Sequence, residues 1–313
     1  VVLLNNDTEV TSGWLDALID GFQRFDHVGL VGARLLYPDG RLQDAGGIIW
    51  KSGDPWNYGH GQNPWDPRFS YARQVDYLSG AAMMTTKKIW DEVGGLSDYL
   101  KPMYFEDTDF SFKVREAGYK TYYIPESTIY HFEGVTSGTD TCQGFKKYQE
   151  INRPKFKKRW SQTFSSHSSV GTKPDLEKDR NIVGRILFID YQLPRSDRDA
   201  GSYAALQEIK LFQSLGFKAT FIPDSLEDLG GYKNALQNDG VEVITAPFYL
   251  STDSFLAKRG LEFDVIYVTR YTILSACIES IKRHCSEAKI VLCNADLHFL
   301  RELRAAARTK NPE

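Results

Sequence analysis

Three acids and one histidine are the residues of this chain best suited to chemistry. Asp7 follows an apolar run at the start of the chain. Glu106 and Asp107 begin a helical pattern, and His131 follows a run of β-favouring residues. A carboxylate and an imidazole suit a divalent cation, Mg²⁺ or Mn²⁺, that also takes phosphate oxygens from a substrate. A second carboxylate, close to the metal but not bound to it, can act as general base on a hydroxyl group.

Each of these residues also has an ordinary structural explanation. Asp7 can cap the turn that follows it, because Asn-Asp-Thr is common turn chemistry. Glu106 and Asp107 can complement a helix dipole. A lone histidine such as His131 is more often a hydrogen-bonded structural residue than a ligand. Their joint occurrence after strands favours a site, but spacing alone does not show that they converge.

The first ten residues, VVLLNNDTEV, are the element on which this site depends. The apolar run predicts a buried strand, and open α/β sheets bind ligands just beyond the carboxyl ends of such strands. The chain has no initiator Met and opens inside this strand. We therefore expect a fragment whose preceding strands and helices are missing.

Periodicity and turn residues predict an α/β fold up to about residue 160, followed by a polar linker. The predicted elements are a helix capped by Thr11 or Ser12, two strands around a Pro38-Asp39-Gly40 turn, an irregular loop over 51–73, a buried strand over 75–86, helices after Thr86 and Tyr104, a strand over 120–124, a basic helix over about 142–160 and a linker over 161–180.

Aromatic residues are dense in the irregular loop. Trp56, Trp65 and Tyr58 all lie there. They either stack on a sugar face or cover an exposed edge of the core, and the sequence leaves both explanations open.

From residue 181 to 313 the chain alternates regularly between strands and helices. This spacing predicts right-handed βαβ units and a Rossmann-like parallel sheet. Asp199 and Gly201 follow the first strand of this region, where they either meet a ligand or form a helix N-cap and tight turn. A second polar group, Asp296, His298 and Arg301, follows the last strand, and helix capping explains it equally well.

Composition excludes several classes of function. The formal net charge is -3 and the sequence pI is about 6.1, so no basic excess exists for nucleic acid. The four cysteines form no CxxC pair, which argues against a zinc site and a disulfide scaffold and suits a reducing cytoplasm. No apolar run approaches the roughly 20 residues that span a bilayer. Peripheral association of the parent protein with the inner face of the plasma membrane stays open.

Four motifs in order resemble the family 2 glycosyltransferases, especially the bacterial rhamnosyltransferase-like members. The resemblance covers roughly residues 1–160 and implies the C-terminal part of a truncated Rossmann-like GT-A domain. It also implies a nucleotide-sugar donor and a glycan or lipid-linked glycan acceptor. The motifs are LLNNDTEV, VDYLSGAAMMTTKKIWDEVGGLSDYL, FEDTDFSFKVREAGYK and YHFEGVTSG.

The resemblance implies a metal and donor site at the end of the first strand. The family's D-x-D element binds a divalent metal and the donor diphosphate, and it reads Asn5-Asn6-Asp7 here. Only the last acid is retained, so Asp7 takes the metal role. His131 matches a histidine that is a metal ligand in several relatives.

The resemblance also implies a catalytic pair. Glu106-Asp107 matches the family's E-D motif, and Asp107 is assigned as the base that deprotonates the acceptor hydroxyl. The hydroxyl then attacks the anomeric carbon in an inverting displacement while the metal stabilises the leaving diphosphate. The turn Gly80-Ala81 would line the sugar site.

The second half, from about Asn181 to Ala307, resembles the amino-terminal half of family 4 type GT-B glycosyltransferases. We therefore predict a slice of a bifunctional enzyme that makes a bacterial surface glycan, and expect the slice alone to transfer nothing. The alternative is a carbohydrate- or nucleotide-binding module without turnover. An oxidoreductase is disfavoured because the first strand-helix loop of this half lacks GxGxxG.

Overall fold

The computed structural model of the chain describes residues 1–132, 147–294 and 298–309. The chain divides into two compact units. The first takes in Val1–Asn181 and Ala235–Val241, and the second takes in Ile182–Asn234 and the described residues from Glu242 on. Both units combine helices with a central sheet, which confirms the predicted α/β fold class.

The first unit is built on one mixed sheet. Its strands are β1 (Val2–Leu4), β2 (Thr8–Val10), β3 (Val28–Leu36), β4 (Leu42–Asp44), β5 (Gly47–Ile49), β6 (Pro55–Asn57), β7 (Arg73–Gln74), β8 (Ala82–Met84) and β9 (Lys120–His131). Its helices are α1 (Trp14–Arg24), α2 (Lys87–Glu92), α3 (Glu106–Glu116), α4 (Lys147–Phe164) and α5 (Pro174–Glu177). The strand order is β1-β8-β3-β9-β2, with β4 beside β3 and β7 beside β9, while β5 and β6 form a separate ribbon.

Strand β3 lies at the centre of this sheet, and all nine of its residues are buried. It runs parallel to β9 and antiparallel to β8. Successive side chains of a strand point to opposite faces of the sheet. Leu30 accordingly packs with Phe110 of α3, whereas the next residue, Val31, packs with Leu18 of α1. The sheet is therefore covered by helices on both faces, which explains why β3 is apolar at every position except Arg34.

The first strand differs from the prediction of a buried strand. Within the described sheet β1 pairs only with β8, and Val2 and Leu4 are 40% and 43% exposed. Only Leu3 packs against the core of the unit. An apolar run favours burial, but which strands lie on each side depends on the pairing of the whole sheet.

Two local predictions were also wrong in detail. Helix α1 is preceded by Gly13 in the left-handed region without a side-chain cap, while the hydroxyl of Thr11 donates to the Thr128 carbonyl at 2.6 Å. Strand β9 does not end at residue 124 but continues to His131. Its register with β3 shifts beyond Ile124, and this irregularity lets the strand pass Pro125 and continue.

The segment 161–180 was predicted as a linker, but it packs within the first unit. Helix α4 continues to Phe164, and His167 Nδ1 lies 2.7 Å from the Ile49 carbonyl oxygen. Arg180 forms ion pairs with Asp76 at 2.8 Å and with Glu177 at 3.0 Å. Polar composition suggested solvation, whereas these polar groups are paired with one another and with the unit.

The second unit contains the predicted parallel sheet. The elements that follow residue 181 are β10 (Gly184–Asp190), α6 (Ala200–Ser214), β11 (Phe217–Pro223), α7 (Gly231–Asn238), β12 (Glu242–Val243), α8 (Thr252–Arg259), β13 (Val265–Thr269), α9 (Tyr271–His284), β14 (Lys289–Cys293) and α10 (His298–Thr309). Helix α7 crosses the boundary, because its residues from Ala235 on belong to the first unit. All neighbouring strands are parallel, in the order β12-β11-β10-β13-β14. Numbered within the unit this order is 3-2-1-4-5, the order of Rossmann-like sheets.

Neither membrane spans nor disulfides occur in the part of the chain that the structure describes. No described helix is both long and apolar enough to cross a bilayer. Cys277, Cys285 and Cys293 carry free thiols, and Cys142 lies outside the described residues.

The docking of α4 can be tested by replacing Phe156 with alanine. Its ring is fully buried, with ring centroids 5.2 Å from Phe105 and 5.7 Å from Phe112. We expect Phe156→Ala to lower the free energy of unfolding of the first unit by about 3–5 kcal/mol. Urea unfolding followed by tryptophan fluorescence reports on this unit alone, because all six tryptophans lie between residues 14 and 160.

The matched control is Ile151→Ala on the same helix. Ile151 is 45% exposed, so its truncation should cost less than about 1 kcal/mol. Equal losses of unfolding free energy in the two variants would show that α4 is not docked through the Phe156 ring.

Candidate active site

Strand β2 brings Asp7 beside His131. The strand pairs antiparallel with the end of β9, with Thr8 opposite His131, and the Phe132 N–H donates to the Asp7 carbonyl at 2.9 Å. As a result, Asp7 Oδ1 lies 3.4 Å from His131 Nε2, and both side chains are mostly buried. Strand β2 was not predicted from the sequence, and His131 was expected to follow a strand rather than to be its last residue.

The neighbours of His131 come from two further strands. Asn5 Nδ2, just after β1, lies 3.4 Å from His131 Nε2. Gln43 Oε1, in β4, lies 2.9 Å from Nδ1 on the other side of the ring. Asn6 lies in the turn between β1 and β2. The imidazole is therefore held from both sides, with its Nε2 edge turned toward the predicted donor triplet.

The catalytic pair predicted from the sequence lies at the first turn of α3. The Gly80 N–H donates to Asp107 Oδ2 at 2.9 Å, and the Thr108 N–H donates to Oδ1 at 2.6 Å. A side chain at position 80 would come within about 3.2 Å of the Asp107 Cβ, so glycine gives the carboxylate its room. Asp107 therefore has a fixed orientation.

Glu106, beside Asp107, lies in a less polar environment. Among the described residues, Glu106 Oε2 has no hydrogen-bond partner, and the side chain is largely buried. Burial, reinforced by the charge of Asp107, raises the pKa of Glu106 to about 7. Of the two neighbouring carboxyl groups, Glu106 is thus the one that tends to hold a proton near neutral pH.

The loop before the catalytic pair has a strained backbone. Tyr104 and Phe105 have φ angles of 73° and 71°, a region that costs non-glycine residues on the order of 1–3 kcal/mol each. The fully buried Asn152 of α4 donates through Nδ2 to the carbonyls of Leu100 at 2.6 Å and Met103 at 2.8 Å. Helix α4 therefore stabilises the conformation that leads the chain into Asp107.

A continuous path of contacts joins the two parts of the site. From Asp107 the path runs through the Gly80 N–H to the adjoining residue Ala81, whose carbonyl accepts from the Asn5 N–H at 3.0 Å. Asn5 then contacts His131, which contacts Asp7. The structure thus brings together the candidate residues of the first unit, which the sequence could name but could not place.

Sequence reasoning missed two residues of β4 that adjoin the site. Gln43 and Asp44 are 3% and 2% exposed. Burial raises the pKa of Asp44 to about 7, opposed by the Arg73 guanidinium and reinforced by Asp107. The signal was present in the sequence as two consecutive polar residues inside a buried strand.

The loop aromatics differ in burial, and only Tyr58 is explained by a place in the core. Tyr58 is buried, and its hydroxyl donates to Asp175 at 2.5 Å, so it is a core residue. Trp56 and Trp65 are 43% and 59% exposed, and the Arg34 guanidinium lies 4.4 Å from the centroid of the Trp65 ring.

In the second unit, Asp199 is the N-cap of α6. Its two carboxylate oxygens accept from the Ser202 N–H at 2.7 Å and the Ser202 hydroxyl at 2.8 Å. These hydrogen bonds lower the pKa of Asp199. Gly201 lies in the first turn of the same helix. Asp296, and the side chains of His298 and Arg301, lie outside the described residues.

The residues around Asp7 fit a divalent metal that has few protein ligands. Two neighbouring ligands of an octahedral ion with bonds of about 2.1 Å lie roughly 3 Å apart, close to the 3.4 Å between Asp7 Oδ1 and His131 Nε2. The described residues contain no cluster of three or more His, Cys, Asp or Glu side chains able to hold a metal.

Several curated proteins are similar to this chain. An uncharacterised protein of Sinorhizobium fredii is 32% identical over 189 residues, which are 58% of this chain and 20% of that protein. N-acetylglucosaminyl-diphospho-decaprenol L-rhamnosyltransferase of Mycobacterium tuberculosis is 26% identical over 45% of this chain and 49% of the enzyme. O-antigen biosynthesis protein RfbC of Myxococcus xanthus is 27% identical over 45% of this chain and 11% of that protein. The chain thus spans half or less of each relative.

A crystal structure of GalNAc-T7 with UDP, GalNAc and Mn²⁺ is similar with a TM-score of 0.40 and 15% identity. The similarity covers 69% of this chain and 38% of the other.

Residues 49–150 match the family described as "Glycosyltransferase like family 2". This segment includes the Gly80-Ala81 turn, Glu106, Asp107 and His131, whereas Asn5, Asp7 and β4 precede it. Residues 49–150 are therefore similar to glycosyltransferase family 2 domains.

Proposed function

We propose that the first unit contributes the active site of an inverting, metal-assisted glycosyltransferase. The single observation that carries the proposal is the path of contacts from Asp107 through Gly80, Ala81 and Asn5 to His131 and Asp7. A base and a metal site must lie close together, because the hydroxyl attacks the same sugar whose diphosphate leaves.

Asp107 is the base in this proposal. Its Oδ2 is oriented by the Gly80 N–H, and the carboxylate takes the proton of the acceptor hydroxyl as the hydroxyl attacks the anomeric carbon. Glu106 tends to keep its own proton near neutral pH, which leaves Asp107 as the carboxylate available for this role.

Asp7 and His131 are the metal ligands in this proposal. Asn5 and Asn6 lie beside them to contact the donor diphosphate, and Gly80-Ala81 would line the sugar site. The metal, Mg²⁺ or Mn²⁺, supplies charge stabilisation for the leaving diphosphate when bound. The aspartate and the imidazole hold the position at which that charge develops.

The substrates proposed are a nucleotide-sugar donor and a glycan or lipid-linked glycan acceptor in the synthesis of a bacterial surface polysaccharide. Two named relatives, a rhamnosyltransferase and an O-antigen biosynthesis protein, support this class. The 3-2-1-4-5 parallel sheet supports a further proposal, that the second unit is the amino-terminal half of a GT-B transferase.

The base assignment can be tested with the variant Asp107→Asn. We expect sugar transfer to fall by about 10²–10⁴-fold, because the amide cannot accept the hydroxyl proton, whereas donor binding should persist. Transfer is measured with a radiolabelled nucleotide sugar, and donor binding by calorimetry.

Asp98→Asn is the control for this variant, since Asp98 lies in a short 3₁₀ helix before α3 with an 85% exposed side chain. It should retain wild-type transfer. Near wild-type turnover by Asp107→Asn would rule out the base assignment. Donor binding without any transfer by the wild type would instead favour the binding module.

The protonation of Glu106 can be tested through the pH dependence of stability. Its pKa in the fold is raised to about 7 from 4.5, so its contribution to stability is complete below about pH 4.5 and is lost as the pH rises through about 7. The free energy of unfolding of the wild type should therefore fall between about pH 5 and pH 8 as Glu106 ionises. Over the same range the free energy of unfolding of Glu106→Gln should fall by about 1–3 kcal/mol less.

Urea unfolding at several pH values, followed by tryptophan fluorescence, measures this loss. The matched control is Glu116→Gln at the exposed end of the same helix, which should keep the wild-type slope. Parallel curves for the wild type and Glu106→Gln would contradict the raised pKa.

A further inference from the structure

Gln43 is the neighbour of His131 that the proposed function does not use. Its side chain is 3% exposed, and its Oε1 lies 2.9 Å from His131 Nδ1. It lies in β4, whereas Asp7 and Asn5 adjoin β2 and β1, so it contacts the ring from a separate element. The residue is too buried to be a simple surface contact for a substrate.

The geometry of this contact determines which ring nitrogen carries the proton. An amide oxygen only accepts hydrogen bonds, so His131 Nδ1 must donate its N–H to Gln43 Oε1. In the neutral ring Nε2 then carries a lone pair. Asn5 Nδ2, a donor at 3.4 Å from Nε2, agrees with this assignment.

Asp7 favours the other tautomer of His131. A carboxylate 3.4 Å from Nε2 favours a proton on that nitrogen. The Gln43 contact is shorter, at 2.9 Å, and it is more deeply buried, so it dominates the choice of tautomer.

We propose that Gln43 is a positioning residue that holds His131 in the Nδ1–H tautomer and thereby presents the Nε2 lone pair to a divalent cation beside Asp7. The inference rests on the proposed function for the cation, but the tautomer itself does not. Hydrogen bonds of this kind, from the second ring nitrogen of a ligating histidine, fix ring orientation and raise ligand basicity.

The tautomer can be measured directly in the metal-free chain. Long-range ¹H–¹⁵N NMR at about pH 8.5, where an ordinary imidazole is neutral, distinguishes the two tautomers, and His131→Asn identifies the resonances of this ring. We expect Nδ1–H in the wild type and in Gln43→Glu, which keeps an acceptor. Gln43→Leu should shift the ring toward Nε2–H.

Mn²⁺ alone is the probe for the second half of the inference. Its affinity, measured by the loss of the free Mn²⁺ EPR signal, should fall about 10–100-fold in Gln43→Leu. Gln43→Glu should bind at least as tightly as the wild type. Gln74→Leu, on strand β7 beside β9, is the matched control and should change neither the tautomer nor the affinity.

The outcomes separate this inference from the proposed function. Nε2–H in the wild type, or an unchanged tautomer in a folded Gln43→Leu, would overturn the role of Gln43. The expected tautomers together with an absence of Mn²⁺ binding, or with binding unaffected by Asp7→Ala, would overturn the metal site while the tautomer assignment stands. If Gln43→Leu does not fold, the wild-type and Gln43→Glu spectra still decide the tautomer.

Discussion

The antiparallel pairing of β2 with the end of β9 is the constraint on which the candidate site depends. This pairing places Thr8 opposite His131 and so brings the residue before β2, Asp7, to the imidazole. A slip of β2 by one residue along β9 would turn the side chains of β2 to the other face of the sheet and move Asp7 away from the imidazole. Three residues of strand thus determine whether the acid and the histidine form one site or lie apart.

The other half of the site depends on the docking of α4. Asp109, one turn into α3, is fully buried and accepts hydrogen bonds from the Trp160 indole at 2.8 Å and the Ser97 hydroxyl at 2.6 Å. Asn152 holds the strained loop in front of α3. A buried carboxylate is stable only when it is well paired. The contacts of Trp160 and Asn152 from α4 therefore fix the start of α3, where the proposed catalytic pair lies.

Sequence reasoning identified the residue types of the site but could not determine their convergence. Asp7 stood out because it follows an apolar run, and Asp107 stood out because it lies at the start of a helix. Their approach depends on β2, a strand too short to show a period, and on the pairing of Asn5 with Ala81. Gln43 was missed because a glutamine in a strand shows its partner only after folding. The regular strand-helix alternation of the second unit, by contrast, was enough to predict its parallel sheet.

The central claim is that Asp7 and His131 together hold a divalent cation. Anomalous X-ray diffraction from crystals of this chain soaked in Mn²⁺ tests it most directly, because the Mn²⁺ position is observed without reference to activity. The account predicts an anomalous peak about 2.2 Å from both Asp7 Oδ1 and His131 Nε2. An Mn²⁺ peak elsewhere, with no Mn²⁺ beside Asp7 and His131 and with the contact between these two residues unchanged, would contradict it.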